Sequence, residues 1–225
     1  MTLATNESAH AAARMNRMYR RQRRIYDFSR KFYLLGRDGM IRGLHARNDM
    51  RVLEIGCGTA RNLIVAAKRY PDAEFFGIDI SAEMLATAAA NIAREKLGDA
   101  IEIACADAAA FDPKQLFGVE RFERVFISYS LSMIPVWRAV LERAVSVLAP
   151  HGELHVVDFG DQERLPRWFG RGLQRWLQAF DVSPRRDLEL QLQALADYHG
   201  AELHFERIFR GYAQYAVLRF AQAAA

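Results

Sequence analysis

The sequence predicts an α/β fold: a Rossmann-like seven-stranded sheet, mostly parallel with an antiparallel last strand, and helices on both faces. Three observations carry this expectation. From residue 50 onward, short apolar runs alternate with helical stretches, the βαβ pattern of a parallel sheet. A glycine-rich turn, Gly56-Cys57-Gly58, follows the first apolar run. Two final apolar runs are joined around Arg210-Gly211, a hairpin signal that makes the last strand antiparallel.

Taken in order, residues 51–55 read as the first strand, followed by the turn and a helix over about 60–69. Residues 74–78 form the second strand. Ser81 then caps a helix running to about 97, because its hydroxyl can accept from an orphan amide of the first turn. Residues 101–104 and 124–128 give strands three and four, and a helix over about 136–148 follows. The turn Ala149-Pro150-His151-Gly152 precedes strand five at 153–158. Residues 161–200 read as a mostly helical insertion, and 202–209 with 213–220 form the hairpin. The domain therefore spans 49–225, behind a basic N-terminal helical arm, 1–48. Within that arm residues 13–46 read as helical, with a break near Gly36 or Gly43. Tyr19, Tyr26 and Tyr33 recur every seven residues on one helix face.

Composition bounds the class. Of 225 residues, 51% are hydrophobic and 26% charged, which suits a globular chain and excludes a wholly disordered one. No apolar run reaches the length of a membrane-spanning helix, and the N-terminus lacks the apolar core of a signal peptide. Two cysteines, Cys57 and Cys105, make no disulfide framework. A cytoplasmic protein is expected. The net charge of +4 hides an asymmetry: residues 1–51 hold 12 Lys+Arg against 4 Asp+Glu, so the rest of the chain is net acidic. Three readings of that basic segment stand: a solvated helix, an anionic membrane surface, or nucleic acid.

The chemistry gathers at the strand ends. The glycines allow a sharp turn and let a ligand lie against backbone. A dinucleotide fold wants a small residue three positions after Gly58, and Arg61 stands there. Glu54, just before the turn, would repel a pyrophosphate. A ligand with a cationic group and no phosphate suits this turn better. Asp79 ends the second strand, where a carboxylate can accept both ribose hydroxyls of a nucleoside, and Asp107 follows the third, within reach of an adenine amino group. Each acid alone reads as a cap or turn residue; together, after successive strands, they mark the edge where open parallel sheets bind ligands.

These residues, in VLEIGCGTARNL (52–63), FFGIDIS (75–81), CADA (105–108), FISYSLSMIP (126–135) and LAPHGELHVVDFGD (148–161), resemble the class I S-adenosylmethionine-dependent methyltransferases. The resemblance implies S-adenosyl-L-methionine as cofactor and S-adenosyl-L-homocysteine as product. It implies that Glu54, Gly56 and Gly58 line the methionine part and that Asp79 takes the ribose. Ala106 and Asp107 would meet the adenine, with Ile80 and Ser128 completing the site. Ala60 departs from the glycine many members carry. The flanks IYDFSRKFYLLGRDGMI (25–41) and LPRWFGRGLQRWLQAFDVSPRRDL (165–188) resemble the methyltransferase of bacterial betaine-lipid synthesis, which trimethylates the amine of diacylglycerylhomoserine. That implies a lipid substrate at an anionic membrane surface, peripheral attachment to the inner face of the cytoplasmic membrane, and coupling to the enzyme that supplies diacylglycerylhomoserine.

Such a product is a quaternary ammonium, which aromatic faces hold by cation–π attraction. Tyr26, Tyr33, Tyr129 and Phe159 are candidates, with Tyr129 the first choice because it follows strand four. A core-packing face is the alternative for the tyrosine stripe. Arg30 or Arg37 would hold the headgroup carboxylate, or else form surface ion pairs. Asp158 would take the amine proton, with Asp27 or water as alternatives. The catalytic set expected is thus Tyr129, Tyr26 and Asp158. Arginines alternate with Trp168, Trp176 and Leu177 over 164–180, which suits either a lid or a membrane-interface helix. The six histidines and two cysteines show no ligand spacing, so no metal is expected. No serine elbow and no RNA-binding motif stand in the chain. Other readings kept open are a phosphatidylethanolamine or small-molecule methyltransferase, and an RNA-associated methyltransferase or binding module.

Overall fold

The computed structural model describes residues 34–180 and 182–221. Seven strands form one sheet: β1 (Arg51–Ile55), β2 (Glu74–Asp79), β3 (Ile101–Cys105), β4 (Phe122–Ser128), β5 (Leu148–Phe159), β6 (Ala201–Ile208) and β7 (Ala213–Phe220). Their spatial order is β3-β2-β1-β4-β5-β7-β6. The first five strands pair in parallel, and β7 runs antiparallel between β5 and β6. The expected fold class holds. The helices are α1 (Arg37–Gly43), α2 (Arg61–Arg69), α3 (Ala82–Arg94), α4 (Pro113–Phe117), α5 (Trp137–Ser146), α6 (Arg167–Gln178) and α7 (Leu188–His199).

Alternation along β1 explains the layering. Leu53 and Ile55 join one apolar layer, with Trp137, Val140 and Leu141 of α5 and Leu192 of α7. Val52 faces the other layer, with Met40 and Ile41 of α1, Leu63 of α2 and Leu85 of α3. Glu54 shares Val52's face, which turns its carboxylate toward α2. Both faces of the sheet are covered, so its strands are nearly continuous apolar runs.

Local chemistry sets the element ends. Ser81 Oγ accepts from the Met84 amide at 3.3 Å, the expected cap of α3. The short α4 was not expected, although Asp112 accepts from the Lys114 amide and Pro113 occupies its first turn. The anticipated turn at 149–152 lies inside β5. There the pairing jumps from Phe122↔Leu148 to Arg124↔Glu153, and His151 takes φ 59°. The break is an irregularity in a long strand rather than a separate turn. Of the proposed 13–46 helix, only α1 lies among described residues. Gly36, at φ 87°, sets its start. Leu34, Met40, Ile41 and Leu44 are buried in the core, so this part of the arm is a piece of the domain.

Gly77 of β2 does the packing that position 61 could not. A Cβ there would lie 2.6 Å from Leu63 Cδ1 and 3.0 Å from Cys57, so its absence lets α2 close on the sheet. Arg61 instead pairs with Asp38 at 3.1 Å.

Candidate active site

The C-terminal ends of β1 and β4 open on a cavity of about 470 Å³. It is lined by Leu34 and Arg37 from the N-terminal side, Glu54, Gly56, Cys57, Gly58 and Thr59 from the β1 turn, and Arg61 and Asn62 from α2. Thr87 and Asn91 of α3 and Ser128 of β4 complete the wall. Gly56 is needed twice over: its φ is 77°, and a Cβ would stand 2.6 Å from Ser130 Cβ.

The loops at this edge are tied together. Asp79 accepts from the Gly58 amide and from the Ser81 amide, each at 2.9 Å, joining the β1 and β2 turns. The Ala106 amide donates to the Asp79 carbonyl at 3.1 Å, which adds the β3 loop. Asp107 accepts from the Ala109 amide at 2.9 Å, an Asx turn that fixes its carboxylate. Ile80 is half-buried between these loops. Asp79, Ile80, Ala106 and Asp107 thus flank the cavity and do not line it.

Glu54 is buried and accepts from Asn62 Nδ2 at 2.7 Å. Asn62, Asn91 and Thr87 were not foreseen in the sequence. Their signal was faint: polar residues in helices that otherwise present apolar faces to the sheet. Asn91 Nδ2 donates to the Thr59 carbonyl at 3.0 Å, pinning the turn from α3.

The remaining expected residues divide. Arg37 reaches the cavity. It is buried, and its Nε donates to the Leu34 carbonyl at 3.1 Å, which holds the guanidinium in the wall. Tyr129 does not line the cavity. Its ring is 1% exposed, packs edge-on against Phe159 at 4.7 Å, and donates its hydroxyl to the Leu35 carbonyl at 2.5 Å. Burial, with Asp158 nearby, pushes the phenol well above its ordinary value, so it stays protonated as that donor. Phe159 is buried between Tyr129 and Tyr212. Asp158 is wholly buried, accepting from the amides of Ser132 at 3.0 Å and Phe159 at 2.7 Å. Burial raises its pKa, and those hydrogen bonds partly offset the rise. These three residues hold the floor and the N-terminal segment in place. Tyr26, Tyr33, Arg30 and Asp27 lie outside the described residues.

The cavity suits a cationic sulfonium ligand. The Cys57 thiol in its wall is pushed well up, first by burial and then by Asp79 and Glu54. The carboxylates of Glu54 and Asp79 beside this turn favour a positive charge there and disfavour a phosphate. Ser128 Oγ is buried without a hydrogen-bond partner among the described residues, an orphan that a polar ligand can satisfy.

Comparison with known proteins agrees. Residues 52–152 match the family described as a methyltransferase domain. The chain is 32% identical over 104 residues to trans-aconitate 2-methyltransferase of Methylobacterium radiotolerans, covering 46% of this chain and 36% of that enzyme. It is 26% identical over 174 residues to demethylmenaquinone methyltransferase of Listeria welshimeri, covering 75% and 69%. Geranyl diphosphate C-methyltransferase from Streptomyces coelicolor A3(2), solved with S-adenosyl-L-homocysteine, superposes with a TM-score of 0.62 at 11% identity, covering 84% of this chain and 78% of that one. The chain spans little more than a third of the length of the trans-aconitate enzymes it matches. Sheet order, turn chemistry and these similarities agree that residues 52–152 form a methyltransferase domain on the class I fold, with S-adenosyl-L-methionine as its cofactor.

Proposed function

We propose that the chain is an N-methyltransferase that trimethylates the amine of diacylglycerylhomoserine, a step in betaine-lipid synthesis. The observation that carries this reading is Arg37, a buried guanidinium fixed in the wall of the donor cavity. A headgroup that bears both an amine and a carboxylate can place its carboxylate on Arg37 while its amine faces the cavity. The likeness of residues 25–41 and 165–188 to the betaine-lipid enzymes supports the same acceptor.

Glu54, Gly56 and Gly58 would hold the methionine part of the donor, Asp79 the ribose, and Ala106 with Asp107 the adenine. Bound S-adenosyl-L-methionine supplies a methyl group already activated as a sulfonium. The chain's own work is then to orient the acceptor and keep its amine neutral. Positioning of this kind supplies much of the rate in such transfers. Asp158 is sealed beneath the floor with its oxygens on two amides, so the ammonium proton leaves through water. Tyr129 acts as a positioning residue, holding the segment that carries Arg37 by its bond to the Leu35 carbonyl.

α6 supports a lipid acceptor. Leu177 is buried, and Leu173 and Trp176 pack partly against the core, while Trp168 is 72% exposed. One face thus closes over the domain and the other carries an aromatic residue among arginines, a pattern suited to a bilayer interface. No helix among the described residues is long and apolar enough to cross a membrane. A second reading is O-methylation of a small carboxylate. Arg37 would bind that too, and a relative is named for trans-aconitate. Incubation with labelled donor and a panel of diacylglycerylhomoserine, phosphatidylethanolamine and trans-aconitate, with products identified by mass, separates these. The proposal expects label in the first alone; label in trans-aconitate would select the second reading.

A further inference from the structure

Phe209, Arg210 and Gly211 turn the chain from β6 into β7, and all three have left-handed backbone, at φ 52°, 61° and 80°. Glycine adopts this region freely, whereas a phenylalanine there is strained. Burial does not explain the strain, because Phe209 is 52% exposed and Arg210 is exposed beside it.

The turn sits at the mouth of the donor cavity. A Cβ on Gly36 would lie 2.6 Å from Ile208 Cδ1 and 3.7 Å from the Phe209 ring. Leu34 and Arg37, on either side of that contact, line the cavity, and Leu35 is 37% exposed. On the other flank the Gln162 amide donates to the Gly211 carbonyl at 2.8 Å. Gln162 Oε1 in turn lies under α6, 3.8 Å from where a Gly170 Cβ would stand. Trp168 belongs to that helix. Of the six exposed large apolar side chains among the described residues, Leu35, Trp168 and Phe209 therefore lie on segments that meet at this rim. Exposed Arg164 and Arg210 accompany them.

We propose that the Phe209–Arg210 turn, with Leu35 and Trp168, is a docking rim for an anionic lipid surface. Phe209 enters the boundary between headgroups and acyl chains, and Arg210 meets anionic headgroups. Aromatic and basic side chains interleaved on one rim match both layers of such a surface. The inference rests on the lipid-methylating reading, because it sets the cavity mouth against the bilayer from which a diacyl acceptor would be drawn.

The test uses the full chain and vesicles of phosphatidylcholine with phosphatidylglycerol, without any amine acceptor. Binding is thus read independently of whether diacylglycerylhomoserine is methylated. Phe209→Gly suits the left-handed backbone, so its melting temperature should equal or exceed that of the parent while its vesicle dissociation constant rises roughly tenfold. Arg210→Glu should weaken binding at low salt and lose its effect as salt rises. In Phe209→Trp the added emission should be quenched by brominated acyl chains. Equal vesicle affinity for the parent and Phe209→Gly would overturn the proposal. So would unquenched emission from Phe209→Trp, which would mean that the ring does not enter the bilayer. Absence of parent binding at low salt would overturn it as well.

Discussion

At Asp79 the carboxylate accepts from the Gly58 and Ser81 amides at 2.9 Å each. A carboxylate offers about four lone-pair directions, more than these two amides use, so it can also accept from ribose hydroxyls. Asp79→Ala should therefore lower both donor affinity and stability. Each charge-assisted hydrogen bond contributes about 1.5–3 kcal/mol, so a loss of tenfold or more in affinity is expected by calorimetry. Unchanged affinity in a folded Asp79→Ala protein would remove Asp79 from the site. Tyr129 shows what residue-level sequence reading misses. Its place after β4 was legible, but its burial was not, because burial depends on Phe159 and on the Leu35 carbonyl arriving from distant parts of the chain. Tyr129→Phe should cost about 0.5–1.5 kcal/mol through loss of that hydrogen bond. Tyr129→Ala should cost about 3–5 kcal/mol by opening a core cavity. Denaturant unfolding reads both. A Tyr129→Ala protein of parental stability with altered methylation products would return the ring to the acceptor site.

Elements whose signal is local were legible. β1 and β7 are found at the residues their apolar runs indicate, and Ser81 caps α3 as its position suggests. What escaped depends on pairing. Nothing local in Ala149-Pro150-His151-Gly152 says that β5 continues through it, since only β4, which pairs with Leu148 before it and Glu153 after it, makes it one strand. Close approaches are equally silent. Gly160 follows β5, and a Cβ on it would stand 2.3 Å from the Gly211 carbonyl oxygen. The Gly160 amide also donates to the Tyr212 carbonyl at 2.9 Å, so neither backbone can give way cheaply. Gly160→Ala should destabilise by about 1–3 kcal/mol, the usual cost of overpacking, and lower the melting temperature. A melting temperature equal to the parent's would show that this junction is looser than described.

Across the whole molecule, the alternation of strands and helices made the parallel half of the sheet readable, and a cavity opens at its C-terminal edge. The polar network between β4, β5 and β7 was not readable, because its members are far apart in the chain. His155 is buried between Tyr215 Oη at 2.9 Å and Glu153 at 3.0 Å, with Arg124 and Arg219 on the same carboxylate. Burial holds the His155 pKa below 6.5, against the opposing pull of Glu153. The unfolded chain therefore binds the extra proton first. Stability should be fully present above about pH 6.5 and fall as pH drops through the folded value. Glu153, held below its ordinary value despite burial, adds a loss of the same sign at lower pH. Denaturant midpoints measured from about pH 8 down to about pH 5 should show this decline, and His155→Gln should flatten its upper part. A parent curve without slope below pH 6.5 would contradict the account. The donor cavity remains the central claim, and a crystal structure with S-adenosyl-L-homocysteine tests it most directly. The account predicts the homocysteine portion against Glu54, Gly56 and Gly58, the ribose hydroxyls on the Asp79 carboxylate, and the adenine beside Ala106 and Asp107. Ligand bound away from the β1 turn, or a ribose that does not meet Asp79, would contradict it.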